Sequence, residues 1–468
     1  MSTAAADALP TNRVGNATFV VYCIYVVDYY VRVSARVPGL GALRPTLLLF
    51  LLIIVLLFTQ SRYLKGRLGT PTAKALLALL VYIVATIPTA SWPGSVINNF
   101  GAYTRVIAFF YFTVLIVDTP RRFYIFLGVL VGCQLFRVLE PLFLNITTGY
   151  LGDKTYLGAG EFAGRLAGAP HDVVNPNGLG FVAVTCIPYL YYVLFVSNKT
   201  YLKALSVVLM AACVYVIVLT LSRGAMVALA VILWFIIRQS KRKFLILAVL
   251  AIAGVVGWGH LDDVHKDRYM SLFSKNTRSS YGVEGREQLT QLEFSIGMQR
   301  PIFGHGLGTT AESKVHAGHT AQASHNLYTE ILIEVGLIGG FLFLRFLYSI
   351  HKEVQLAARQ VAERLGRADT DIEKRLVMCF VALFWMYAVF SINYYGLSQD
   401  YWYALAGVVT AFGRQVFGAP ETAPVTSESA ATTLSRRPRS VLDRPRSSGG
   451  RALPSAPEVI QRAKWTEQ

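Results

Sequence analysis

The residues best suited to chemistry are a histidine and an arginine at the ends of predicted membrane helices. His325 is followed by Asn326 where a polar segment meets an apolar run. A neutral imidazole near pH 7 can take a proton from a hydroxyl, as a general base does. Arg223 stands at the predicted outer end of another span, and a guanidinium binds phosphate oxygens bidentately and keeps its charge when partly buried. The two residues predict proton abstraction beside a bound phosphate group.

Further arginines are predicted to lie toward the same outer half of a membrane. Arg105 lies inside the fourth predicted span, and Arg165 and Arg286 lie in the two longest loops. Several planar guanidinium groups at one level would suit the oxygens of a pyrophosphate. A lone arginine at a helix end can instead extend its charge to the membrane surface, so Arg223 alone leaves both interpretations open.

Two pairs of charged residues inside predicted spans have simpler explanations than a ligand. Ionisable groups are expensive in apolar surroundings and are usually paired there. Arg137 and Glu140, three residues apart, are predicted to form an ion pair with each other. Glu330 and Glu334, four residues apart, are predicted to pair with arginines of neighbouring helices.

A metal site is a competing interpretation of the second long loop, where His305, His316 and His319 lie close in sequence. Their spacings match no familiar zinc or two-metal pattern, and no carboxylate cluster accompanies them. The glycines of the segment 304–308 resemble a phosphate-binding loop only weakly, because no predicted strand precedes them. We therefore expect neither a metal nor a cofactor, and His325 is the preferred catalytic candidate.

The composition indicates that membrane helices position these residues. The chain is 54% hydrophobic and 15% charged, with a mean hydropathy of +0.46, which excludes an ordinary soluble globular protein. The expected fold class is an all-α polytopic membrane protein with about twelve transmembrane helices, each able to cross a hydrocarbon core of roughly 30 Å. The expected spans are residues 17–32, 44–59, 73–90, 98–118, 122–145, 177–197, 200–220, 223–238, 243–260, 326–350, 374–392 and 398–417.

Lysine and arginine indicate the orientation, because cytoplasmic loops collect them. They recur on one side of the predicted bundle, which is assigned to the cytoplasm together with both termini. The basic residues of this side are Arg62, Lys65, Arg67, Arg121, Arg122, Lys199, Lys203, Arg238, Lys241, Arg242, Lys243, Lys352, Arg359, Arg364 and Arg367. The net charge of +17 is therefore a topology signal, and no binding of nucleic acid is expected.

Three regions are expected along the chain. They are a cytoplasmic N-terminus at residues 1–16, a transmembrane domain at 17–417 and a disordered basic cytoplasmic tail at 418–468. Two outward-facing loops are expected at about 146–176 and 261–325, the second being a large loop between helices 9 and 10. Apolar residues near the middle of the second loop are spaced for a short amphipathic helix. Long ordered loops usually serve a function.

Several short motifs occur in a fixed order between about residues 160 and 345. They are Arg165-Leu166-Ala167-Gly168 with Asn175-Pro176-Asn177, then Ser222-Arg223-Gly224-Ala225, then Gly285-Arg286 leading to Arg300-Pro301-Ile302-Phe303-Gly304-His305-Gly306-Leu307-Gly308, then His325-Asn326 with Gly336 and Gly339. Their order and membrane placement resemble the O-antigen ligase and polymerase superfamily. The resemblance is carried by this order, since each motif alone is weak.

The resemblance implies a metal-independent, inverting glycosyltransferase of a bacterial inner membrane, with its site facing the periplasm. In that family an acceptor sugar hydroxyl attacks the anomeric carbon of a glycan linked to undecaprenyl pyrophosphate. By resemblance, His325 activates the acceptor, Arg223 and Arg286 hold the pyrophosphate, and Arg165 and Arg105 are further donor-binding candidates. The implied partners are the lipid-linked glycan donor, a lipid A core or lipid-linked glycan acceptor, and membrane lipids.

The acceptor and the general class of function are separate questions. The favoured function is an O-antigen ligase that uses lipid A core, while a repeat-unit polymerase and a transfer to protein share the same motifs. A polysaccharide transporter or flippase is a distant alternative. No internal repeat relates the two halves of the chain, and neither long loop has a counterpart in the other half, which counts against the common transporter plan.

Overall fold

A computed structural model describes residues 13–152, 164–172, 174–197, 199–261, 263–270, 281–363, 370–394 and 396–417. Within these ranges the regular structure is helical and contains no strand. The predicted tail at 418–468 and most of the predicted N-terminal region lie outside the described residues. The all-α class is therefore what the described part of the chain adopts.

The helices follow one another with mostly short connections. The first half contains α1 (Asn16–Val31), α2 (Val33–Arg36), α3 (Pro45–Thr59), α4 (Pro71–Thr86), α5 (Pro93–Ile116), α6 (Pro120–Thr148), α7 (Pro176–Tyr189) and α8 (Thr200–Leu219). The second half contains α9 (Arg223–Gln239), α10 (Lys243–His260), α11 (Asp263–Met270), α12 (Tyr281–Gly297), α13 (Thr310–His316), α14 (Leu327–Glu363), α15 (Thr370–Phe390) and α16 (Tyr401–Phe417). A π-helical turn, Leu190–Phe195, extends α7.

Each of the twelve predicted spans overlaps one of these helices. Among the described residues, eight helical segments are long and apolar enough to cross a membrane. Two shorter apolar helices, Asn16–Val31 and Lys243–Gly259, accompany them. The structure thus supports a polytopic helical membrane protein, and it does not establish a count of twelve spans.

Side-chain caps mark where several of these helices begin. Thr70, Thr119, Asn175 and Ser222 each accept a hydrogen bond from a backbone N–H of the first helical turn. A proline stands at the start of α4, α6 and α7, where its missing N–H has no partner to lose. The sequence therefore specifies these boundaries locally.

The helices around the candidate site come from both halves of the chain and pack closely. Helix α14 packs on α4, α12, α15 and α16, and α9 packs on α7 and α15. A Cβ atom at Gly180 of α7 would lie 2.7 Å from the Cβ of Ala225 on α9, so only glycine permits this approach. The first turn of α9 is fixed against α7 by this contact.

The predicted ion pair between Arg137 and Glu140 is wrong. Arg137 instead forms two hydrogen bonds with Asp172, of 2.7 and 3.1 Å, from the connection before α7. Glu140 binds both terminal nitrogens of Arg36. Each residue thus finds its partner in a distant segment, because the planar guanidinium can take both oxygens of a facing carboxylate.

The predicted pairing of Glu330 and Glu334 with arginines is also wrong. Glu330 Oε2 accepts hydrogen bonds from the backbone N–H groups of Gly396 (2.8 Å) and Leu397 (3.1 Å). Glu334 Oε1 accepts one from the hydroxyl of Thr310 (2.8 Å). Both carboxyl groups therefore hold turns beside α14 through uncharged donors.

Candidate active site

Arg223 is presented by a strained turn between α8 and α9. It is the first residue of α9, and the side chain of Ser222 accepts a hydrogen bond from the N–H of Ala225 (3.3 Å). Leu221, just before the cap, has φ of 50°, in the left-handed region that non-glycine residues seldom adopt. Strain of this kind persists only where surrounding contacts hold it.

Two arginines hold this turn by hydrogen bonds to its backbone carbonyls. Arg165, which is 1% exposed, donates from Nε to the carbonyl of Thr220 (2.8 Å) and from Nη2 to Asn177 Oδ1 (2.7 Å). Arg268 donates from Nε to the carbonyl of Leu221 (2.9 Å). Arg165 thus holds the backbone that precedes Arg223. Sequence reasoning missed Arg268, which stands in a polar segment without a motif.

Arg223 and Arg286 line one cavity of about 410 Å³. Arg286 reaches it from α12, Arg223 from the start of α9, and Asn326 from the start of α14. Other residues that line it are Gly224, Val227, Glu287, Thr290, Gln291 and Asn393. Arg223 is 7% exposed and Arg286 is half-buried, so both guanidinium groups are partly withdrawn from water. Two such groups at one cavity suit a ligand with several phosphate oxygens.

His325 directly precedes Asn326, which lines this cavity, and it lies in the segment 319–326, here called the His325 segment. It is half-buried, and its Nε2 is 3.0 Å from the side-chain nitrogen of Gln322. Asn326 Oδ1 accepts hydrogen bonds from the N–H groups of Tyr328 (2.8 Å) and Thr329 (3.4 Å). The capping residue of α14 is therefore Asn326, and His325 is the residue before this cap.

Arg105 is not brought to this cavity. It lies on an exposed position of α5, and its Nε donates to the carbonyl of Gly101 one turn earlier (3.2 Å). The structure thus gathers Arg223 and Arg286, with His325 adjacent, and places Arg165 behind the turn and Arg105 elsewhere.

His305 serves the fold of the second long connection. Its Nε2 donates to the carbonyl of Ile296 (3.1 Å), and its Nδ1 lies 3.1 Å from the hydroxyl of Ser91. Arg300 donates to the same hydroxyl (2.6 Å), which leaves the hydroxyl proton for Nδ1. Burial lowers the pKa of His305 from its ordinary value of 6.5, and the charge of Arg300 acts in the same direction. Both ring nitrogens are therefore engaged by the protein in the neutral form.

The other two histidines of the metal interpretation are exposed. His316 has its Nδ1 2.9 Å from the carbonyl of Glu312, and its ring packs on Trp92. His319 is exposed at the start of the His325 segment. Across the residues that the structure defines, no three His, Cys, Asp or Glu side chains gather into a group that could hold a metal ion.

The residues 300–308, here called the glycine turn, dock at a bend in α14. Gly336 has φ of 64° and ψ of −167°, which interrupts the helix. Beyond the bend, the N–H of Leu337 donates to the carbonyl of Pro301 (2.7 Å). Before the bend, the carbonyl of Glu334 accepts from the N–H of Gly306 (3.0 Å). Backbone groups that lose their partners within the helix at the bend thus form hydrogen bonds with backbone groups of the glycine turn.

The glycines of the two segments permit this contact. A Cβ at Gly336 would lie 2.5 Å from the carbonyl oxygen of Ile302, and one at Gly304 would lie 2.6 Å from the carbonyl carbon of Glu334. The glycine at residue 304, in the segment that only weakly resembles a phosphate-binding loop, is thus explained by this close contact. These glycines allow two backbones to meet, which is a second use of glycine in close approach.

A comparison with known families finds one that contains several of these residues. Residues 180–344 match the family model described as O-antigen ligase. The match contains Arg223, Arg286 and His325, and it leaves out Arg105 and Arg165. A comparison with curated proteins finds no match. The resemblance inferred from the order of the motifs is thus confirmed, and it supports an integral membrane enzyme of the O-antigen ligase type.

Proposed function

Because residues 180–344 match the O-antigen ligase family, we propose that this protein transfers a glycan from an undecaprenyl-pyrophosphate carrier to a sugar hydroxyl at the periplasmic face of a bacterial inner membrane. The favoured acceptor is lipid A core, which makes the protein an O-antigen ligase. One observation carries the proposal: Arg223 and Arg286, from helices far apart in sequence, line one cavity with the residue that follows His325.

In the proposed reaction, the imidazole of His325 takes the proton of the acceptor hydroxyl while the hydroxyl oxygen bonds to the anomeric carbon. The bond from that carbon to the pyrophosphate oxygen breaks, and the pyrophosphate leaves with the electron pair. Arg223 and Arg286 stabilise the developing charge, as fixed donors do in a partly dry site. Attack from the side opposite the leaving group inverts the anomeric carbon, and His325 then releases its proton to water.

Two guanidinium groups supply the positive charge that a metal ion supplies in other reactions with phosphate leaving groups. The proposed transfer is therefore independent of metal. Twelve spans complete the proposed arrangement, with the shorter helices α1, α9, α10 and α16 crossing beside the longer ones. The alternation of basic loops supports cytoplasmic termini and an outward-facing site.

Lysine substitutions test the role of the two arginines. Lysine keeps the positive charge but loses the planar fork, so Arg223→Lys and Arg286→Lys should each lower transfer by about 10²- to 10³-fold, the usual effect of losing one stabilising donor. Transfer is measured with lipid-linked glycan in isolated membranes, normalised to the amount of inserted protein. Arg62→Lys, at an exposed arginine stacked on Tyr63, is the matched control. Full activity in both site variants would reject the proposal.

The glycans left on the carrier distinguish the two acceptors. Cells that depend on the inactive Arg286→Lys variant should accumulate long, already polymerised chains on undecaprenyl pyrophosphate if the protein is a ligase. Single repeat units on the carrier would instead assign it as a polymerase. The expected result is long chains, read out as a ladder after mild acid release.

A further inference from the structure

An ion pair lies inside the fold of the second long connection, away from the cavity wall. Lys314 Nζ on α13 donates to Glu293 Oε1 on α12 at 2.7 Å, and each side chain is 1% exposed. Taking two charges out of water carries a large desolvation penalty, and a buried pair is weak evidence for net stability. The more informative question is therefore what this pair holds in place.

The pair holds the chain on both sides of the proposed base. Glu293 Oε2 accepts hydrogen bonds from the hydroxyls of Ser324 (2.7 Å) and Thr329. Lys314 Nζ also donates to the carbonyl of Ala323 (3.2 Å). Residues 323 and 324 precede His325, and Thr329 lies in the first turn of α14 that follows it. One carboxylate thus fixes the entry and the exit of the backbone that carries the imidazole.

The same helix carries the proposed leaving-group arginine. Arg286 and Glu293 are seven residues apart on α12, which is about two turns, so both lie on one face and are separated by roughly 10 Å along the axis. A helix of this length is stiff over two turns. Its geometry therefore sets the spacing between the guanidinium of Arg286 and the anchor of the His325 segment.

We propose that Glu293, held by Lys314, is a positioning residue that sets the distance between His325 and the pyrophosphate bound by Arg286. This inference rests on the proposed glycan transfer. The base must approach the acceptor hydroxyl while the leaving group stays on the arginines, and a misplacement of about 1 Å can lower the rate of such a reaction by about 10²-fold.

Hydrogen exchange tests the anchor without any assay of activity. In purified, full-length Glu293→Gln, the neutral amide cannot pair with Lys314 as the carboxylate does, so amide exchange in peptides covering 319–329 should rise by about tenfold or more relative to wild type. Ser313→Ala is the matched control, because Ser313 is buried beside Lys314 and its hydroxyl has no hydrogen-bond partner among the described residues. Unchanged exchange in Glu293→Gln would overturn the proposal.

Turnover and binding then separate positioning from folding. In Glu293→Gln, kcat per folded molecule should fall by about 10²-fold. The Kd for undecaprenyl pyrophosphate, used as the probe, should stay within about twofold because both arginines are retained. A merely structural role would lower the yield of folded protein and leave kcat per folded molecule unchanged, and that result would overturn the proposal. Absence of transfer by wild type would instead reject the proposed function, while the exchange measurement still tests the anchor.

A second variant covers the case in which Glu293→Gln does not accumulate. Ser324→Ala with Thr329→Ala keeps the ion pair and removes the two hydroxyls that reach Glu293 Oε2, together with the hydrogen bond from the N–H of Asn326 to Ser324 Oγ (3.0 Å). The same rise in exchange and the same fall in kcat are expected. Normal exchange or normal kcat in this double variant would overturn the proposal.

Discussion

The glycine turn and the His325 segment belong to one connection, and they are held in different ways. The glycine turn is fixed by backbone hydrogen bonds to the bend of α14, and the nitrogens of His305 are engaged by Ser91 and Ile296. The His325 segment is anchored by side chains, through hydroxyls and a carbonyl that reach a buried ion pair. Its histidine is half-buried and directly precedes Asn326, which lines the cavity.

The difference shows how one connection can hold His305 in the fold and also carry His325, for which a catalytic role is proposed. Backbone docking depends on glycines and tolerates many changes of side chain elsewhere. Side-chain anchoring depends on a few polar groups, and it holds the chain on both sides of His325, next to the cavity-lining Asn326. Substitutions in the His325 segment should therefore change activity. Substitutions at the glycine turn and its docking site should change stability.

The largest expected effect is that of His325→Ala on transfer. Loss of a positioned general base should lower turnover by about 10²- to 10⁴-fold, while binding of undecaprenyl pyrophosphate and thermal stability stay near wild type. His319→Ala, at an exposed histidine of the same segment, should retain full turnover. Loss of turnover in the His319 variant, restored by a divalent ion, would favour the metal interpretation and break the contrast.

Gly336→Ala should affect stability more than chemistry. The φ of 64° with ψ of −167° is a region open essentially to glycine alone, so the substitution should cost of order 1–3 kcal/mol, in addition to the contact of its Cβ with Ile302. Thermal unfolding should show this loss, and peptides from the glycine turn should exchange faster. Gly132→Ala on α6, where a Cβ meets open space, is the control. Equal stability of the two variants would contradict the docking role of Gly336.

The smallest expected effect is a pH dependence assigned to His305. Its pKa in the folded state lies below the ordinary 6.5, so the unfolded chain binds more protons between these two pKa values. The contribution of His305 is therefore fully present above pH 6.5 and is lost as the pH falls toward the folded-state pKa. Thermal unfolding between pH 7.5 and 5.5 should decline more in wild type than in His305→Gln. Parallel curves for the two proteins would show that His305 does not titrate in this way.

The positions of the helices could be predicted from the sequence because apolar runs and capping residues are local signals. The C-terminal end of α14 could not be predicted in this way. It was expected near residue 350, and it continues to Glu363, because hydropathy reports the apolar part of a helix and not the polar turns that follow it. The length of the helix was thus underestimated where it extends past its apolar part.

The candidate site was only partly predictable for a different reason. The sequence predicts that Arg105, Arg165 and Arg223 lie in the same half of the membrane, but it does not tell which way each side chain points. Only packing puts Arg165 behind a turn and Arg223 at the cavity. The docking role of Gly336 could not be predicted either. Its contact with Ile302 joins two segments that share no periodic pattern in the sequence.

The contacts of the glycine turn also set an order of events during synthesis. Arg300 and His305 bind Ser91 across 209 and 214 residues of chain. At roughly 5 to 20 residues per second, the ribosome makes His305 roughly 10 to 40 s after Ser91. Through that interval α4 and α5 exist without the turn that later binds their junction. The complete bundle therefore forms late in translation, and a nascent chain released before residue 325 would lack His325 and the helices α14, α15 and α16.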